Sequence, residues 1–151
     1  MRGLSRRHAL AVGAGGAALV LLGKVRPATA APKDAEADIA KFTGGKTAEA
    51  GKITIDLPEI AENGNTVPLT VTVDSPMTAE SHVTDILVVA DGNPRPGVAT
   101  FHFTPLSGSA EATTRIRLAT TQNIIAVAKT SDGKLYTGQK LVKVTIGGCG
   151  G

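Results

Sequence analysis

The sequence predicts an all-β fold, an immunoglobulin-like β-sandwich of about seven strands with a short N-terminal helix and a flexible Gly-rich C-terminal arm. Three observations predict the sandwich. Hydrophobic residues make up 42% of the chain, but aromatics are only 3% and Trp is absent, so a core has to be built from Val, Ile and Leu. From Ile53 onward these residues recur with a period of two, the signature of strands with one buried face. With 18 glycines and 8 prolines, turn signals cut the apolar segments at short intervals. A barrel of similar strand number is the alternative architecture.

The first 30 residues are read as an export signal and set aside from the fold. Arg6-Arg7 precede a weakly apolar run, Ala9 to Leu22, and Lys24 and Arg26 follow it. Ala28-Thr29-Ala30 then predicts cleavage after Ala30. This arrangement resembles a twin-arginine signal, with Ala9 where that pattern most often has Phe. The run is shorter than the ~20 residues that span a bilayer, so no membrane anchor is expected. The implied mature protein is periplasmic, exported by the twin-arginine route. Its charge differs from that of the whole chain: five of the 16 basic residues lie in the signal, which holds no acid, leaving 11 bases against 13 acids. No basic face with interleaved aromatics is left for nucleic acid.

The domain, residues 31–146, opens with Pro32 to Phe42, where Asp34, Glu36 and Asp38 favour a helix start and Gly44-Gly45 a stop. Ile53, Ile55 and Leu57 form one alternating strand and Leu69, Val71 and Val73 a second, with Asn63-Gly64-Asn65 as a hairpin-type turn between them. Ile86 to Ala90 is apolar on both faces, which predicts a central strand. Asp91 to Gly97 predicts a long polar loop. Ala99, Phe101 and Phe103 alternate next, then Ile116 and Leu118, then the apolar stretch Ile124 to Ala128. Asp132-Gly133 signals a hairpin into a last strand from Leu135 to Ile146.

Most candidate chemistry falls away on inspection. Gly44-Gly45-Lys46-Thr47 ends like a phosphate loop but has Ala40 where that loop needs Gly, and follows a helix instead of a strand. Ser81, His82 and Asp85 are too close along one strand to converge as a triad. His82 and His102 are not at ligand spacing from each other or from Cys149, so neither metal nor cofactor is predicted, and His102 reads as a surface position. Arg95, between Pro94 and Pro96, reads either as a solvated loop charge or as an anchor for a partner or an anion.

The tail is the most informative segment. Residues 147–151 read Gly147-Gly148-Cys149-Gly150-Gly151, and Cys149 is the only cysteine. In an oxidising compartment a lone thiol suggests intermolecular pairing or reactivity. Four flanking glycines make it unhindered and give an arm able to enter another protein's active site. Nothing near in sequence lowers its pKa, so activation is expected to come from partners. Two functions follow: a covalent carrier that is not itself an enzyme, or an exported interaction domain dimerised through a Cys149 disulfide.

The tail, the Arg6-Arg7 signal, Thr43 to Thr47, Ile53 to Asn65, Asp91 to Leu106 and Lys140 to Ile146 together resemble the SoxY family, sulfur carrier subunits of the thiosulfate-oxidising Sox system. The resemblance implies a non-catalytic carrier with Cys149 as its attachment site. It implies a heterodimer with a SoxZ-like subunit and three further partners: a c-type cytochrome that conjugates thiosulfate to the thiol, a manganese-dependent hydrolase that releases sulfate, and a sulfane dehydrogenase. The cofactors belong to these partners and none to this chain.

Overall fold

The computed structural model describes residues 32–148. The signal segment, Met1 to Ala30, and the residues Cys149, Gly150 and Gly151 lie outside the described residues. No helix among the described residues is long and apolar enough to cross a membrane.

The helix α1, Pro32–Thr43, carries an acid in its first turn and Lys41 in its last, matching the helix dipole at both ends. Gly44 and Gly45 take left-handed backbone angles, and the Gly45 amide donates to Ala40 O at 3.0 Å, closing the helix end. Nine strands follow: β1 Glu49–Ala50, β2 Ile53–Asp56, β3 Ile60–Asn63, β4 Val67–Val73, β5 Val83–Ala90, β6 Gly97–His102, β7 Ala110–Ile116, β8 Gln122–Thr130 and β9 Leu135–Ile146. They form two sheets. One runs β1-β9-β8-β5-β6, with β3 also on β9; the other runs β2-β4-β7.

The core lies between the sheets. β4 contributes Val67, Leu69, Val71 and Val73, facing Ile86, Val88 and Ala90 of β5 and Ile124, Ala126 and Ala128 of β8. The intervening Leu87 and Val89 are also buried, on the face where α1 packs against β5. This double coverage is why Ile86 to Ala90 carries no polar residue, and β5 is central, paired with both β6 and β8. The β8–β9 hairpin turns at Asp132-Gly133 as expected, with Gly133 at φ 80°.

At that turn the Asp132 carboxylate accepts from the Thr130 hydroxyl and pairs with Lys134 Nζ at 2.9 Å. These contacts lower its pKa from 3.8 to about 2. A depressed acid stabilises the fold above its unfolded pKa and loses that contribution as the pH falls through the folded value. The expected result is an Asp132 carboxyl carbon that titrates in NMR with a midpoint near 2, and an Asp132→Asn variant whose acid unfolding lacks the corresponding step below about pH 4. An ordinary midpoint near 4 contradicts this.

The structure corrects the sequence in three places. The turn at Asn63-Gly64-Asn65 is not a β2–β4 hairpin. β2 and β4 are antiparallel neighbours, Ile53 opposite Val73, but the chain between them crosses to the other sheet. There Ile60–Asn63 pairs parallel with β9, Ile60 opposite Lys143 and Asn63 opposite Ile146. The number of strands rises from about seven to nine because β1 and β3 are short, pair only through their backbones and show no alternating pattern. Both lie parallel along one edge of β9, β1 at Tyr136 and Thr137 and β3 at Lys143 to Ile146, so this 12-residue strand is covered on two sides. The third correction concerns the tail and follows from the site.

Candidate functional site at the root of the C-terminal arm

β9 ends at Ile146, 65% exposed, and the chain turns into a seat made of backbone. Gly64 N–H donates to Ile146 O at 2.7 Å, Leu118 N–H to Gly64 O at 2.8 Å, and Gly148 N–H to Leu118 O at 2.9 Å. Three segments, at Gly64, Leu118 and Ile146–Gly148, thus meet backbone to backbone. A Cβ on Gly64 falls 2.2 Å from Leu118 O and 2.7 Å from Gly148 N; one on Gly147 falls 2.1 Å from Ala119 O; one on Gly148 falls 2.8 Å from Gly64 O. Glycine is required at Gly64 and Gly147 because two backbones touch there.

The sequence starts the flexible arm at Gly147, and the structure places Gly147 and Gly148 against the backbone of Ala119, Leu118 and Gly64. Gly148 is buried and its amide is bonded, so these two glycines serve close approach. Composition alone does not separate a glycine that permits motion from one that permits contact. The same holds for Gly64, which lacks the left-handed backbone expected of a hairpin turn.

The Leu118 side of the seat is fixed by a buried amide. Asn93, 4% exposed, donates from Nδ2 to Arg117 O at 2.8 Å and accepts at Oδ1 from Ala119 N–H at 2.9 Å. Gln122 Nε2 donates to the same oxygen at 2.9 Å, and its Oε1 accepts from Gly92 N–H at 2.7 Å. Asp91 accepts from the Asn123 backbone and side chain, both at 2.9 Å. The loop expected to be merely polar is therefore an ordered brace, and Pro96 within it is buried. Asn93 was not legible as important, because in Asp-Gly-Asn-Pro the turn role of Asn masks its burial.

Arg95 stays exposed at the rim of this brace. His82 and Asp85 do not meet: His82 Nδ1 is 3.0 Å from Thr78 O, and its backbone N–H donates to Ser131 Oγ at 3.2 Å. Asp85 instead pairs with His102 Nδ1 at 2.5 Å, across the β5–β6 register and facing solvent. Among the described residues no three of His, Cys, Asp and Glu stand together as a metal-ligand set. Lys46 and Thr47 follow the helix stop and lie in no phosphate-binding loop.

A family model described as sulfur oxidation protein SoxY matches residues 39–149, a span that takes in the brace, the seat and Cys149. The chain belongs to the SoxY family. Among solved structures, the sulfur carrier protein SoxY from Chlorobium limicola f thiosulfatophilum is 36% identical, with TM-score 0.64, covering 76% of this chain and 98% of that one. A superoxide reductase (neelaredoxin) from Ignicoccus hospitalis is 19% identical with TM-score 0.56, covering 78% of this chain and 95% of that one. A putative superoxide reductase from Thermotoga maritima is 23% identical with TM-score 0.52, covering 68% and 89%. These two likenesses show a shared sandwich and nothing about chemistry. No curated protein matches. In this SoxY-family chain the matched span ends on the cysteine that directly follows the seated glycines.

Proposed function

We propose that this protein is a covalent sulfur carrier of thiosulfate oxidation, with Cys149 as the attachment site. One observation carries the reading: in a SoxY-family chain the only cysteine follows directly on a backbone seat that holds the arm root to the sandwich. The Chlorobium relative is itself described as a sulfur carrier protein. The signal segment supports export by the twin-arginine route to the periplasm, and family membership supports a heterodimer with a SoxZ-like subunit.

Loading joins the Cys149 thiol to the terminal sulfur of thiosulfate. An S–S bond forms, one proton leaves the thiol, and two electrons pass to the c-type cytochrome partner. The product is Cys–S–S–SO3−. Water then cleaves the bond between the sulfane sulfur and the sulfonate in the hydrolase partner, releasing sulfate and two protons and leaving a persulfide anion on the carrier. The sulfane dehydrogenase partner oxidises this remaining sulfur. This chain supplies no catalytic group in these steps; it supplies a tether, which makes each transfer local instead of diffusional.

Gly148, the residue before Cys149, is held to Leu118 by its amide. Each partner must bring its site to the arm root or break the Gly148 amide bond to draw the arm out, a bond worth about 1 kcal/mol. In protein isolated without reductant from cells given thiosulfate, intact mass and C-terminal peptide mapping are expected to show sulfur or thiosulfonate additions on Cys149 only, removable by a thiol reductant. A free thiol and a Cys149–Cys149 disulfide as the sole forms, during active thiosulfate oxidation, contradict the carrier reading and favour a dimerised interaction domain.

A further inference from the structure

A cleft of about 260 Å³ opens between the Asp91–Gly97 brace and the end of β7. Arg95, Arg115 and Arg117 line it together with the buried Asn93, and no acid is among its lining residues. Neither ion pair among the described residues involves these three arginines. Asp34 and Asp38 of α1 border Arg95 on its other side, in a separate groove. Arg115 and Arg117 are two positions apart on one extended segment, so their side chains leave the same face about 7 Å apart. Holding three guanidinium groups around one concavity is unfavourable unless an anion is shared, and their planar forks match the oxygens of a sulfur oxyanion.

The cleft and the arm root meet along one short segment: Arg117 lines the cleft, and the next two residues, Leu118 and Ala119, touch the arm root. Along Arg117–Ala119, one edge bonds to Asn93 and the other to Gly64 and Gly148. Two strand spacings, about 10 Å, therefore separate the brace from the arm root. Covalent lengths alone let the sulfonate end of a Cys149 adduct extend roughly 10 Å from Gly148. The arginine side chains shorten the remaining gap.

The geometry points to this cleft as a resting site for the sulfonate carried on Cys149 between visits to partner enzymes. The inference rests on the carrier reading and adds to it a binding site for the charged end of the cargo. The arginines that are surplus to folding, since all three are exposed, recognise an oxyanion that is ionised at every physiological pH.

The test uses two reagents on the purified protein, whose only thiol is Cys149. Tetrathionate, a dianion, reacts with the thiol to give Cys–S–S–SO3−, thiosulfate and a proton; iodoacetamide is neutral. The ratio of the two rates cancels the thiolate fraction. Substituting Arg95→Gln, Arg115→Gln and Arg117→Gln together is expected to lower this ratio about tenfold at ~10 mM ionic strength and less than about twofold at ~1 M, where screening removes the attraction. In the loaded wild-type protein the Nε–H resonances of the three arginines are expected to shift, while one equivalent of free inorganic sulfate added to the unloaded protein leaves them in place. An unchanged ratio, or arginine resonances unmoved by loading, overturns the resting site. Equal shifts with free sulfate overturn it in favour of a site for free anions. Loss of partner-subunit binding with the ratio intact overturns it in favour of an acidic protein surface. Whether Cys149 is loaded in cells is read separately by mass, so failure of the cleft is distinct from failure of the carrier.

Discussion

A Cys149→Ser variant is expected to lose sulfur carriage completely: no thiosulfate-derived mass on the chain, and no thiosulfate-dependent sulfate from a system reconstituted with it. A serine hydroxyl is not ionised near neutral pH and forms no S–S bond, whereas a thiol is far more acidic and its thiolate forms one. The substitution changes no residue of the core cluster, so melting temperature and association with the partner subunit are expected to match the wild type. Sulfate production at the wild-type rate by this variant refutes the carrier reading outright.

The second large effect is expected far from the cysteine in sequence. Gly64→Ala places a methyl group 2.2 Å from Leu118 O and 2.7 Å from Gly148 N, both backbone atoms that no rotamer change moves aside. The three hydrogen bonds of the seat have to lengthen or break together. A cost of about 2 to 4 kcal/mol is expected from overpacking and lost bonds, a large share of the ~5–15 kcal/mol typical of a domain. Thermal unfolding measures the loss, and hydrogen exchange at the Gly148 amide shows whether the arm root has come free. A melting temperature within a degree of the wild type, with Gly148 protection unchanged, contradicts the seat. Gly133→Ala serves as a contrast: its added methyl meets nothing within 4 Å, so its cost is only that of the left-handed backbone, about 1 to 2 kcal/mol, with the arm root untouched.

These two glycines show what a sequence does and does not carry. Strands with a side-chain signature were legible: Ile86 to Ala90 as a strand covered on both faces, and Leu135 to Ile146 with both of its ends. The left-handed pair Gly44-Gly45 and the Asp132-Gly133 turn were legible because their roles are local. What escaped is made by backbone meeting backbone across long separations. β3 pairs with β9 about 80 residues later through main-chain bonds, leaving only the buried Ala61 as a trace. Gly64 carries the Asn-Gly mark of a hairpin but serves contact. Gly147 and Gly148 share the composition of a flexible tail and touch the backbone of Ala119 and Gly64.

Cys149 stands out in the sequence as a lone thiol among glycines, and it lies outside the described residues. The arginine cleft was half legible. Arg95 stood out between two prolines, but Arg115 and Arg117 alternate with Ile116 and Leu118, as on the solvent face of an ordinary strand. Only folding shows that Asn93 ties the loop to the strand end, which brings all three to one cleft.

The pairing of β9 has a mechanical consequence. A partner that draws the arm into a deep active site pulls on the chain along the axis of β9. Ladder bonds run across the strands, so a pull in this direction loads the β8 and β3 contacts simultaneously, in shear, and does not open them one after another from the end. The sheet behind Ile146 therefore resists such a pull as a unit. The yielding element is the single Gly148 bond to Leu118, which acts as a tear-away stitch at the cuff of a much stronger sleeve.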